Sequence, residues 1–183
     1  MINSIYLKKE ILDKLKREFR KNNPKSMQLT SFMDSKSYTL FLKSISNANF
    51  IKNEIRDMHC FFKAKNANLK LFSTKEFLSF CSALSGKKIK KSELSLRMSM
   101  KGCYTLVHEE TAKKGMEFFF DLTPEWNDSF GGQIVYLAYD GSNVITPKYP
   151  NTLILAESGR SYIKYVNNNA KSDGRLLVHG KLK

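Results

Sequence analysis

From Tyr6 to about Phe19 the apolar residues Ile11, Leu12, Leu15 and Phe19 recur at steps of three and four, with Lys and Arg between them. That spacing lays one apolar stripe along an α-helix, so the stretch predicts an amphipathic helix with its basic side outward. Pro24, within Asn22 to Ser26, ends it, because proline has no N–H to donate and collides with the preceding turn. Further on, Tyr38, Leu40, Phe41, Leu42 and Ile45, then Phe50, Ile51, Ile55 and Met58, give a mixed pattern that predicts one or two helices between Ser35 and Phe62. Ser73-Thr74-Lys75-Glu76 has the form of a capping box, in which the Ser73 hydroxyl accepts an amide proton and Glu76 reaches back. The helix it opens has the apolar face Phe77, Phe80, Cys81 and Leu84, and Gly86 stands where a left-handed C-terminal cap is wanted.

Beyond Gly86 the texture changes to short runs rich in β-branched and aromatic residues. Leu94 to Met100, Cys103 to Val107, Met116 to Leu122, Gln133 to Tyr139, Thr152 to Ala156, Tyr162 to Val166 and Leu176 to His179 each predict a strand. Gly102, Gly115, Gly131-Gly132, Asp140-Gly141, Pro147, Pro150, Gly159 and Asp173-Gly174 separate them as turn signals. Many short strands at close spacing argue for a sandwich or barrel. The expected organisation is a single domain, with residues 1–90 as its helical N-terminal portion and 91–183 as its β core.

A chain of 183 residues suits one hydrophobic core. No run of about 18 apolar residues occurs, and the opening MINSIYLKKEILDKLKREF is too charged for a secretory signal. Cys60, Cys81 and Cys103 are odd in number and far apart, which gives neither a disulfide framework nor a zinc knuckle and fits a reducing compartment. A soluble, cytoplasmic protein is therefore expected. The net charge of +14 would attract nucleic acid, ribosomes or an anionic membrane face. Its lysines are scattered from Lys8 to Lys183, however, which equally describes ordinary solvated faces.

The stretch GCYTLVHEETAKKGMEFFFDLTPEWNDSFGGQIVYL resembles the prolyl-hydroxylase branch of the 2-oxoglutarate/Fe(II) dioxygenases, in particular the group that includes ribosomal-protein prolyl hydroxylases. His108-Glu109-Glu110 matches the position of a metal-binding H-x-D/E motif, Leu122 and Trp126 match a Y-L-x-x-x-W segment, and Gly131-Gly132 match a glycine pair. Asn151, Leu153, Ile154 and Leu155 continue the order, Arg175 falls where the co-substrate arginine belongs, and FSTKEFLSFCSALSGKKI looks like the helix before the barrel. The likeness covers roughly residues 70 to 180. It implies an α+β fold, a double-stranded β-helix (jelly roll) with N-terminal helices packed against it. It also implies Fe(II) held by His108 and Glu110, and 2-oxoglutarate paired with Arg175. Strand alternation puts His108 and Glu110 on one side, as ligands of one ion must be. A bare strand end carrying the two with no metal is the plainer reading of the same residues.

Two departures from the family pattern stand out. Counting twelve residues back from Arg175, where the resemblance implies a second histidine ligand, reaches Ile163, with Lys164 next to it. Neither can ligate iron. Where the family commonly has a tyrosine that hydrogen-bonds the co-substrate carboxylate, five residues before Trp126, this chain has Asp121, which would repel a carboxylate or take up a proton. His179, four residues after Arg175, either shares its face or sits half-exposed near the C-terminus; His59 reads as a structural residue of the helical part.

Three functions follow as expectations. The first is an active oxygenase hydroxylating a peptidyl proline in a protein or peptide. The second is a non-catalytic jelly roll in which Lys164 pairs with Glu110 in place of the metal. The third, compatible with both, is association with RNA or ribosomal components through the basic surface. The reading that joins these observations is a dioxygenase-like protein with a degenerate metal and co-substrate site.

Overall fold

In a computed structural model of the chain, residues 1–109, 115–124, 126–146, 149–157, 160–167, 170 and 174–183 are described; for Val107, His108, Glu109 and Arg160 the description covers the backbone alone. A short 3-10 turn at Ser4–Leu7 leads into α1 (Lys9–Lys21), which ends at Asn22 as Pro24 requires and buries Phe19. The strand β1 (Ser26–Leu29) and the helix α2 (Ser35–Ile45) follow, the latter opened by Asp34, whose carboxylate accepts from the Ser37 N–H at 2.8 Å.

The helix expected to continue toward Phe62 is instead a hairpin of β2 (Phe50–Ile55) and β3 (His59–Ala64). Asp57 turns the corner at φ 62°, a left-handed conformation that aspartate tolerates better than most residues. The apolar residues Ile51, Ile55 and Met58 stay about half exposed, so they never formed a helix face; Cys60 and Phe61 are the residues the hairpin buries. The next helix, α3 (Lys75–Ser85), is capped one residue later than predicted. Thr74 accepts from the Phe77 N–H, while Ser73 ends a 3-10 turn and pairs with Ser92 at 2.8 Å. Gly86 closes α3 at φ 74°, as its position required.

The β core comprises β4 (Ser92–Ser99), β5 (Tyr104–Glu109), β6 (Met116–Asp121), β7 (Ile134–Leu137), β8 (Asn143–Ile145), β9 (Thr152–Glu157), β10 (Arg160–Ile163) and β11 (Arg175–Leu182). All the pairings between these strands are antiparallel, in the order β1-β9-β6-β11-β4-β3-β5-β10-β7-β8, with β2 attached to β3. Leu177 on β11, Phe119 on β6 and Ile154 and Ala156 on β9 pack against Ile134 and Tyr136 on β7 and Ile163 on β10, so the two halves of the sheet face each other. This is the expected jelly roll. The strand β3 is the seam, pairing with β4 on one side and β5 on the other.

β6 is buried along its whole length because both of its faces are covered. Met116, Phe118 and Phe120 point toward the helices, where Phe72 meets Phe77, Phe118 and Phe120 at ring-centroid distances of 5.2 Å. Phe119 lies in the interior of the roll. No helix among the described residues is long and apolar enough to cross a membrane.

Candidate functional site

Alternation along β6 and β11 turns Glu117, Phe119 and Asp121, together with Arg175, Leu177 and His179, toward the interior of the roll. At one end lies Arg175. Its side chain is fully buried, and so is that of Asp121, which carries the carboxylate facing it. Arg175 Nη2 donates to Asp121 Oδ2 at 2.7 Å and Nε to the same oxygen at 3.3 Å, while Nη1 donates to the Gly132 carbonyl. The other carboxylate oxygen accepts from the Thr123 N–H at 2.9 Å. The aspartate that sequence reading expected to repel a ligand carboxylate is thus itself the carboxylate bound by the arginine. Its charge is felt beyond the pair: burial first, and Asp121 second, push the Tyr38 hydroxyl up to about 12.

The matched tryptophan and glycines build the wall of this end. Trp126 Nε1 donates to the Gly131 carbonyl at 3.0 Å, and Gly131 bridges Val166. Only glycine fits there: φ is +76°, and an added Cβ would come within 1.9 Å of the Tyr165 carbonyl oxygen. Gly132 then presents its carbonyl to Arg175. Asn151 has a different task, clamping the Met33 backbone through both ends of its amide at 2.8 and 2.9 Å.

At the other end of the same strands, His179 is buried on the interior strand β11, between β4 and β6, and not at an exposed edge. It stacks on Phe119 at 4.6 Å between centroids, and its Nε2 lies 3.5 Å from Glu117 Oε2. Ser161 Oγ donates to Glu117 Oε1 at 3.4 Å. These groups line a cavity of about 190 Å3 together with Arg97 and with His59, which is in a strand and not in a helix. His59 Nε2 sits 2.8 Å from Asn53 Oδ1 and its ring stacks on Phe61. Buried Tyr136 stands nearby, its hydroxyl raised well above its ordinary value by desolvation and by the Glu117 charge. Sequence reading missed Glu117, Arg97 and Ser161. Glu117 had one available signal: with Asp121 it is one of two acids in an otherwise apolar strand run.

Of the predicted metal ligands, Glu110 lies outside the described residues, and with it the proposed Lys164–Glu110 pair. His108 is described by its backbone, which pairs with Ser161 across the β5–β10 ladder. The residue opposite His108 is therefore a serine, two positions before Ile163, which is buried in the interior apolar layer. Lys164 follows the end of β10 and lines an outer groove with Tyr162 and Tyr165. Among the described residues no group of three or more His, Cys, Asp or Glu is placed to hold a metal ion.

No protein-family profile and no curated protein sequence matches the chain. Solved structures do. A prolyl-4-hydroxylase from Pseudomonas putida is similar with a TM-score of 0.69 at 12% identity over 94% of this chain and 98% of the other. The chain has the fold of the 2-oxoglutarate/Fe(II) oxygenases. An oxidoreductase of the 2OG-Fe(II) oxygenase family from Burkholderia pseudomallei is similar with a TM-score of 0.72 at 12% identity, covering 94% and 90% of the two chains. A Trichoplax adhaerens prolyl hydroxylase in complex with a hypoxia inducible factor oxygen degradation domain peptide fragment gives 0.69 at 15% identity over 96% and 93%.

Among the described residues, the donors present do not fit the two groups that fold implies. A dicarboxylate co-substrate needs a free cation in the interior, and all three nitrogens of the Arg175 guanidinium donate to protein oxygens. A facial iron site needs two imidazoles and a carboxylate; the backbone partner of His108 is a serine, Glu110 lies outside the described residues, and no such group forms among the described ones.

Proposed function

We propose that this protein is a dioxygenase-like protein of the prolyl-hydroxylase kind whose co-substrate site is closed from within. The carboxylate of Asp121 stands in for the distal carboxylate of 2-oxoglutarate. The observation that carries this reading is the fully buried Arg175–Asp121 pair at 2.7 Å. A charge-assisted fork between guanidinium and carboxylate is the interaction a 2-oxoglutarate site is built to offer its ligand. Here it is already satisfied. His108 and Glu110 are, in this reading, the remnant of an iron site that lacks its second imidazole.

The partner class supported by the fold is a protein or peptide, since the Trichoplax hydroxylase was solved with a peptide fragment. Association with RNA or ribosomal components has the net charge of +14 as its support and stays secondary.

Thermal unfolding with Mn(II) and increasing 2-oxoglutarate tests the reading. The natural chain should show no shift. Asp121→Asn, which keeps the side-chain shape and removes its charge, should acquire a 2-oxoglutarate-dependent stabilisation, because a ligand that binds only the folded state raises its apparent stability. Stabilisation of the natural chain by 2-oxoglutarate, or succinate released from it with Fe(II), would overturn the proposal.

A further inference from the structure

Two of the three cysteines meet at the seam of the roll. Cys60 on β3 and Cys103, just before β5, are both buried and place their Sγ atoms 3.1 Å apart, although 43 residues separate them. Cys60 is the ladder partner of Tyr104, so the two cysteines lie one position off register across the β3–β5 pairing. Closing to a disulfide bond asks each sulfur to move by about half an ångström toward a bond of about 2.05 Å. The third cysteine, Cys81, is buried in the helical core among Phe32, Phe77 and Phe80, away from this pair.

The pair is within reach of a reagent. Both cysteines line a surface recess of about 500 Å3, with Lys52, Glu54, Phe62, Met100, Lys101 and Gly102. Burial and the neighbouring Cys60 thiol push the Cys103 thiol up to about 12, and the Lys52 ammonium at the rim works in the opposite direction, favouring thiolate. The close approach of the two sulfurs, more than thiolate character, is what favours their joining.

We propose that Cys60 and Cys103 form an oxidisable dithiol, a modification site at which a hydroperoxide or a glutathione disulfide converts two thiols into one intramolecular disulfide. With hydrogen peroxide, one thiol is oxidised to a sulfenic acid and a first water leaves. The second sulfur then attacks it, forming the S–S bond and releasing a second water, so two thiols are oxidised as one peroxide is reduced. With glutathione disulfide, the first thiolate displaces one glutathione and the second displaces the other. The bond would staple β3 to the β4–β5 turn, and β3 is the strand that joins the two faces of the roll. Its neighbour His59 lines the interior cavity, so the staple would lie one residue from the wall of that cavity.

The test is a count of free thiols in the whole chain after oxidation, denaturation and labelling with N-ethylmaleimide. Reduced protein takes up three labels, one for each cysteine. Protein treated with a slight excess of hydrogen peroxide should take up one, lose the mass of two hydrogens, and yield a linked Cys60–Cys103 peptide. Cys81→Ser should still form the link, and Cys60→Ser and Cys103→Ser should each abolish it. Tryptic cleavage at Arg56 in the hairpin should slow in the oxidised form by several-fold. Three labels retained, a disulfide between molecules, or a stable glutathione adduct that goes no further would each overturn the proposal. Because the natural chain carries the decisive measurement, misfolding of a serine variant leaves the outcome readable.

Discussion

Asp121→Asn is the most informative single change. The pair it disrupts has side chains 0% and 1% exposed, so its charges are hardly screened by water. Removing the charge leaves a buried guanidinium with the Gly132 carbonyl and a neutral amide, whose single oxygen can serve either Arg175 or the Thr123 N–H but not both as the carboxylate does. Breaking a buried pair in this way costs about 3–5 kcal/mol. Set against a total stability of about 5–15 kcal/mol, that is a large fraction. At about 2–4 °C per kcal/mol for a chain of this size, the Tm should fall by roughly 6–20 °C. Trp126 is the sole tryptophan and donates to Gly131, the residue next to the Arg175 acceptor, so its fluorescence through a urea titration reports unfolding beside the pair. The companion variant Asp121→Leu with Arg175→Met should recover most of the loss, because an apolar replacement of a buried ion pair is often neutral or stabilising. A loss below about 1 kcal/mol for Asp121→Asn, or a double variant no more stable than the single, would refute the argument that the pair neutralises itself in a dry interior.

Two further expectations rest on the same geometry. Gly180→Ala would drive a Cβ to within 2.1 Å of the Phe118 ring, between β11 and the helical core. An overpacking cost of about 1–3 kcal/mol should appear in chemical denaturation with little change in far-ultraviolet circular dichroism. Tyr38 is held up to about 12 by burial and then by Asp121, and Tyr136 is raised by burial and then by Glu117. Since a tyrosine in the unfolded chain ionises near about 10, the Tyr38 contribution to stability is complete below that pH and is lost as pH rises from about 10 through about 12, and that of Tyr136 is likewise lost as pH rises above about 10. An absorbance titration should therefore show both ionising only as the fold is lost; if all eight tyrosines titrate together in a folded protein, the burial argument is wrong.

Much of the roll could be read in advance because its strands carry their signal locally. The largely apolar runs MEFFFD and TLILAE suit strands covered on both faces, and they became β6 and β9. β1 and β8 went unseen, since four and three residues are too few for any periodicity to develop. The hairpin of β2 and β3 was misread because helix and strand patterns overlap in Phe50 to Phe62, and its pairing with β4 and β5, remote in sequence, decided the matter. At the site, alternation offered His179 a place beside Arg175 but left a half-exposed edge position open, and the motif flagged Asp121 as foreign to the family pattern. That Asp121 answers Arg175 was invisible, because the two are 54 residues apart and meet only through the β6–β11 register. Ser161 was missed for a related reason: counting along one strand ignores the bulge that sets which residue of β10 faces His108.

β1 lies against β9 and β3 sits between β4 and β5, so strands encoded in the first third of the chain complete a sheet encoded in the rest. A chain begun near residue 91 would leave β9 with an open flank and both β4 and β5 with unsatisfied rows of N–H and C=O groups. Such edges recruit any extended segment at hand, including another copy of themselves. The early segment thus acts as a hem, and the protein cannot be trimmed to its roll without becoming adhesive.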